Sequence, residues 1–264
     1  MIAAKEIICK QIPKTCSEKG PQRLWRSHSD AVNKALLNRW LPEGQVENLL
    51  KTDLYDEAVS DGLAGLLASR ARRVLYTDIS LEVHRMAKGR HSSLETVGTD
   101  VRCLPFANGT FDGIISNSTL DHFESLDDMV TSLRELHRVL RQGGQMILTL
   151  DNLANPIILL RNWLPYRLLQ RLNIIPYYMG ITLAPHRLQH LLKEIGFKVL
   201  QAEAILHCPR VLAVAMAHWI EKYASPKTQS YFLGFLHGFE GLSRWPTRFL
   251  TGYFIAVRAI KPDR

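Results

Sequence analysis

The chain has 264 residues, 46% of them apolar, a formal charge of +8 and four scattered cysteines. That length and composition exclude a disordered or fibrous class and allow one ample core, read as one domain with an elaboration. Cys9, Cys16, Cys103 and Cys208 lack the paired spacing of a zinc site or a secreted disulfide framework, which points to a reduced cytoplasmic compartment and no resident metal. The opening MIAAKEIICKQIPKTC sets lysines inside a short apolar run, without the continuous core and cleavage site of a signal peptide. The longest later apolar run, VLAVAMAHWI, falls well short of the ~20 residues that cross a bilayer.

In chain order, residues 1–45 form a basic leader with a helix predicted over Ser29 to Trp40, placed to cover a site on the sheet. Strand one is expected over Glu47–Leu54 and a helix over Glu57–Arg70, with Gly62 and Gly65 inside it. Strand two follows at Val74–Asp78, then a helix with Ser80 as N-cap. Strand three is expected at Leu94–Thr99, strand four at Gly113–Ser116, a helix at Ser125–Arg141 capped by Ser125, and strand five at Gln145–Leu150. Residues 153–180 are amphipathic and cut by Pro165 and Pro176 into short helical pieces, as in a lid or a membrane-surface element. A helix over Pro185–Ile195 stops at Gly196, and Lys198–Leu206 reads as strand six. Helices are then expected at Val211–Tyr223 and Gln229–Leu242, the second with Phe232, Phe235, Phe239 and Leu242 along one stripe expected to be core. Tyr253–Ile260 closes the sheet as an antiparallel last strand.

The units drawn from this pattern are a leader and cover at 1–45, a core at 46–206 that includes the lid, and a helical insertion with the final strand at 207–264. Charge is segregated along them. Residues 1–151 carry 19 Lys and Arg against 20 Asp and Glu, whereas residues 152–264 carry 14 against 5. An acidic acceptor or an anionic surface suits the basic half. Plain solubility is the other reading.

Three phrases carry a resemblance: VLYTDIS, GTDVRCLPFANGTFDGIISNSTLDHF and LRELHRVLRQGGQMILTLDN. Their order and spacing resemble class I S-adenosylmethionine-dependent methyltransferases. The resemblance implies a Rossmann-like, seven-stranded, mostly parallel α/β sheet with helices on both faces and helical insertions in the C-terminal half. It implies S-adenosylmethionine as cofactor, with Asp78 and the neighbouring Ile79 at the ribose, and Asp100 and Val101 at the adenine. It sets Ser116, Asn117, Asp121 and His122 near the methyl centre, and left-handed backbone at Gly143 and Gly144 before strand five. The family's glycine-rich loop after strand one is missing: Asp53 is followed by Tyr55, Asp56 and Glu57. Either a variant loop uses Asp53 or Glu57 to hold the cofactor's ammonium, with Tyr55 alongside, or the cofactor site has decayed.

His122 can take a hydroxyl proton with Asp121 orienting it, which makes the pair the catalytic candidates. The other possibility is that His122 packs on the cofactor and Asp121 caps the turn. His207 and Cys208 have no further ligand at metal spacing, and no Gly-x-Ser-x-Gly elbow supports a hydrolase. The leading expectation is methyl transfer to a small or lipid-linked, anionic acceptor, with peripheral contact at the inner, anionic membrane face. A methyltransferase fold that has lost the reaction and serves as a scaffold is the second reading. A nucleic-acid methyltransferase is the third, without an appended RNA-binding domain or a base-flipping motif to support it.

Overall fold

The computed structural model describes residues 22–164 and 180–263. Most of the basic leader, and Tyr166, Arg167, Arg171, Tyr177 and Tyr178 of the expected lid, lie outside the described residues. The chain runs α1 (Arg23–Trp40), β1 (Val46–Lys51), α2 (Tyr55–Val59), α3 (Ala64–Arg70), β2 (Ala71–Asp78), α4 (Leu81–Arg90), β3 (Glu95–Gly98) and β4 (Phe111–Asn117). It continues through α5 (Leu126–Val139), β5 (Leu140–Asp151), α6 (Pro156–Trp163), α7 (Pro185–Ile195), β6 (Lys198–Ile205), α8 (Arg210–Tyr223), α9 (Pro226–Gly238), α10 (Arg248–Thr251) and β7 (Phe254–Ile260).

The seven strands lie in the order β3-β2-β1-β4-β5-β7-β6, with β7 antiparallel to both of its neighbours. Leu50 pairs with Leu75 on one side and Ile114 on the other, so all three share a face. With Met146 and Leu148 they pack under α5 and α7, among Leu133, Leu136 and Leu188. Residues one step along, Leu49, Tyr76, Ile115 and Ile147, face the opposite layer of α1, α8 and α9. Apolar runs on both faces are what a doubly covered parallel sheet requires. The strand reversal at β1 and β4 opens a crevice at their carboxyl ends, the usual ligand position of such sheets.

Helix α1 begins earlier than predicted because Leu24, Trp25 and His28 extend the buried stripe of Val32, Leu36 and Trp40 by a turn and a half. The helix expected over Glu57–Arg70 is broken in two. Gly62 sits between the halves at φ +49°, and the Glu57 carboxylate accepts from the Leu63 amide at 3.0 Å, so neither half continues. Before the parallel stretch of β5, Gly143 has a left-handed φ of +69°, but Gly144 does not. Gly144 is required instead by crowding: a Cβ there would lie 2.8 Å from the Arg141 carbonyl oxygen. Ser80 and Ser125 cap α4 and α5 as predicted. The aromatic stripe of α9 is only partly core. Phe232 is buried, whereas Phe235 is 60% exposed and meets Phe239 edge to face at 5.2 Å, because the helix tightens to 3-10 geometry from Phe239.

Candidate functional site

The first strand delivers a buried charge cluster to the crevice. Lys51 Nζ donates to Asp53 Oδ1 at 2.9 Å, to the Asp53 carbonyl at 3.1 Å and to Glu57 Oε2 at 2.9 Å. Burial opposes the lysine charge, but Asp53, Glu57 and Asp56 outweigh it and hold the ammonium above the ordinary lysine range. Glu57 is fully buried, with one oxygen on Lys51 and the other on the Leu63 amide. Its carboxylate is committed inside the protein. Asp53 differs: burial, against the pull of Lys51 and with Asp56 and Glu57 adding to it, pushes its carboxyl up to about 7. Its Oδ2 is buried and has no hydrogen-bond partner.

The second strand ends at Asp78, whose carboxylate accepts from the Ser80 amide at 2.8 Å and the Leu54 amide at 3.3 Å. These bonds fix it facing the turn that follows β1. Ile79 beside it is 38% exposed, available as an apolar wall. Beyond β3, the Asp100 carboxylate is gripped by Arg102, with Nη2 to Oδ2 at 2.6 Å, and Arg102 reaches on to Asp128 at 2.7 Å. Val101 is buried.

At the end of β4, Ser116 is buried and accepts from Thr52 Oγ1 at 3.0 Å. Asn117 accepts from Thr149 Oγ1 at 2.6 Å and donates to Asp56 Oδ2 at 3.4 Å. Asp56 is also paired with Arg26 of α1 at 3.3 Å, and Arg26 lies over the Tyr55 ring at 5.0 Å. Asn33, Leu36 and Leu37 of α1 enclose a cavity of about 10 Å³ against Ser116, Asn117 and Thr149. Helix α1 therefore packs across the carboxyl ends of β4 and β5.

Farther along the same edge, Asp121 is buried and His122 exposed. Asp121 Oδ2 accepts from Ser118 Oγ at 2.8 Å and the Asp151 amide at 3.1 Å, away from His122. The paired acid and base expected from the sequence is thus not assembled: Asp121 is turned to the sheet because Ser118, at φ +50°, bends the chain back over it. Asp121 joins Asp151 at the end of β5, where Arg161 of α6 pairs with Asp151 at 2.8 Å and donates to the Tyr253 hydroxyl at 3.2 Å. Burial, with Asp121 close by, lifts the Asp151 carboxyl to about 6 against the pull of Arg161 and Arg210.

Asp53, Asp78, Ser116 and Asn117 therefore meet at one edge, and that edge fits a cationic ligand with a sugar. Asp53 Oδ2 is a buried carboxyl oxygen without a hydrogen-bond partner, and an incoming ammonium donor would satisfy it and favour its charged form. Asp78 presents a carboxylate of the kind that accepts from two vicinal hydroxyls.

The methyltransferase domain family matches residues 59–148 of this chain. That match covers about a third of the chain and lies within the sheet, which has the fold of class I methyltransferases. Its similarity to a demethylmenaquinone methyltransferase of Streptomyces avermitilis is 30% identity over 115 residues, 43% of this chain and 46% of the relative. This chain spans less than half the length of the curated relatives it matches. Among solved structures, phosphoethanolamine N-methyltransferase 2 of Haemonchus contortus, in complex with S-adenosylhomocysteine, superposes with a TM-score of 0.55 and 17% identity, over 88% of this chain and 52% of that one. The cyclase SpnF superposes with a TM-score of 0.58 and 16% identity, over 89% of this chain and 82% of that one. These likenesses show the fold.

Along this edge, four residues with a part in the site escape the sequence: Arg26, Lys51, Arg102 and Asp151. A signal existed for Lys51, since an apolar strand ending in lysine needs a buried counter-charge. Arg161 was expected to face an anionic surface. It is buried instead, because Asp151 and Tyr253 draw it inward. Cys208 is buried 3.6 Å from His28 Nε2, with burial raising its thiol to about 12, so it packs as a neutral group. Among the described residues, no three His, Cys, Asp or Glu side chains are arranged to hold a metal ion.

Proposed function

We propose that this chain transfers a methyl group from S-adenosylmethionine to a small-molecule acceptor. The observation that carries the proposal is the partnerless Asp53 Oδ2, buried where the first strand ends and next to the turn that Asp78 holds. Asp53 would hold the cofactor's ammonium and Asp78 its ribose, with Ile79 beside it as an apolar wall. Bound there, the cofactor supplies an activated methyl on a sulfonium whose departure needs no protonation. The chain's task is then alignment and exclusion of water rather than acid catalysis. Lys51 keeps Asp53 from rotating away, and α1 covers the crevice through Arg26 and Asp56. The exposure of His122 at this edge supports it as the group that would accept a proton from a hydroxyl or amine acceptor.

A second reading has one observation behind it. Tyr55, Asp56 and Glu57 stand where the resemblance implies small residues, Arg26 of α1 holds the first two, and Arg102 occupies the Asp100 carboxylate. Those contacts suit a fold kept as a binding module. Calorimetric titration with S-adenosylmethionine and S-adenosylhomocysteine separates the two readings: saturable binding of both supports the enzyme, and binding of neither leaves the scaffold.

A further inference from the structure

Two helices of the C-terminal half carry large apolar side chains on their outer faces. In α8 the buried face is small, with Ala213, Ala217 and Ile220, whereas Leu212, Met216, Trp219 and Tyr223 point outward at 64%, 48%, 63% and 63% exposure. In α6 the inward positions are Ile158 and the ion-paired Arg161, and Ile157, Leu159, Leu160 and Trp163 are exposed. Ordinary surface helices carry polar side chains on the outer face. The elements border a common corner. Arg161 bonds the Tyr253 hydroxyl, and Arg210, at the start of α8, lies 4.6 Å over the same ring. Asn155, the cap of α6, donates to the carbonyls of Thr251 and Gly252, next to exposed Leu250. Outward apolar surface on this scale marks an interaction site.

Charge identifies the occupant. Between residues 210 and 251 the basic side chains are Arg210, Lys222, Lys227, Arg244 and Arg248, against only Glu221 and Glu240. Both glutamates are tied to backbone amides, Glu221 to Leu24 and Glu240 to Leu206 and His207. The outer surface therefore presents apolar, aromatic and cationic groups together. A second copy would bring the same positive charge against itself, whereas an anionic bilayer supplies both the apolar phase and the counter-charge. Trp163, Trp219 and Tyr223 are the residue types that settle at the headgroup level. No described helix is long and apolar enough to cross a membrane.

We propose that the outward faces of α6 and α8 dock this chain on the surface of an anionic lipid bilayer. The inference does not rest on the methyl-transfer reading, and its test uses the full chain without cofactor. The chain is to co-sediment with phosphatidylglycerol-containing vesicles at low salt, release steeply as salt rises, and bind pure phosphatidylcholine far less. Met216→Ser with Trp219→Ser, and separately Leu160→Ser with Trp163→Ser, should each weaken binding by roughly tenfold or more. Unchanged melting temperatures show that the variants are folded. Tryptophan emission of the unsubstituted chain should shift to the blue on vesicles and be quenched by brominated lipid. Absence of binding at low salt overturns the proposal, as does full binding by both variants. A dimer in sedimentation equilibrium that the same substitutions dissolve assigns the face to a second copy and also overturns it.

Discussion

Lys51 Nζ lies 2.9 Å from Glu57 Oε2 with both side chains fully buried. Removing one member of such a pair leaves an uncompensated buried charge, which typically costs about 3–5 kcal/mol. Lys51→Met should therefore destabilise the protein by that order, read from urea unfolding at neutral pH. A loss below about 1 kcal/mol would mean that the cluster is hydrated and not a closed ion pair.

The two carboxylates on Lys51 separate by function. Glu57→Gln should lower stability and leave cofactor affinity within about twofold, since both of its oxygens are used internally. Asp53→Asn and Asp78→Ala should each cost on the order of 1.5–3 kcal/mol of S-adenosylmethionine binding, because each removes a charged acceptor. Calorimetry decides, and unchanged affinity in the Asp78 variant would remove the ribose assignment.

Much of the sheet is legible in the sequence because strand ends are marked by residues that cannot continue inward. VLYTDIS stops at Asp78 and a serine cap. The site is less legible, for a physical reason. Asp53 and Glu57 are both acidic and both near the first strand, but which one faces the crevice depends on Gly62. Its positive φ lets the chain reverse and gives Glu57 an amide to accept from, and a Cβ there would stand 2.7 Å from Glu57 Oε1. Asp121 and His122 are adjacent, and only the bend at Ser118 shows that they part. Arg161 reads as a surface cation until Asp151, ten residues earlier, is seen at the mouth of the same edge.

His28 couples stability to pH. It is fully buried, and burial with His237 nearby lowers its pKa to about 4, against an ordinary value near ~6.5 in the unfolded chain. The folded pKa is the lower one, so below pH ~6.5 the unfolded chain takes up a proton that the folded protein refuses, and stability falls as pH drops toward 4. At pH 5 the loss from this residue should be about 2 kcal/mol relative to pH 7. Urea midpoints measured at both values check it: His28→Gln should flatten the difference, and an unchanged slope would place the titration elsewhere.

Arg161 fastens α6 to the sheet, and its partners tell what it contributes. It reaches Asp151, itself crowded by Asp121, and the Tyr253 hydroxyl, so its removal strands two neighbouring buried carboxylates. Arg161→Met should destabilise by about 3–5 kcal/mol. Asp151→Asn should cost less, since it removes the charge that most needs the arginine. The double variant should then recover part of the loss, with a coupling energy of about 1–3 kcal/mol in a double-mutant cycle. Thermal or urea unfolding of the four proteins supplies the cycle. Strict additivity would show that the arginine acts through Tyr253 and packing alone, and that α6 is not held by charge.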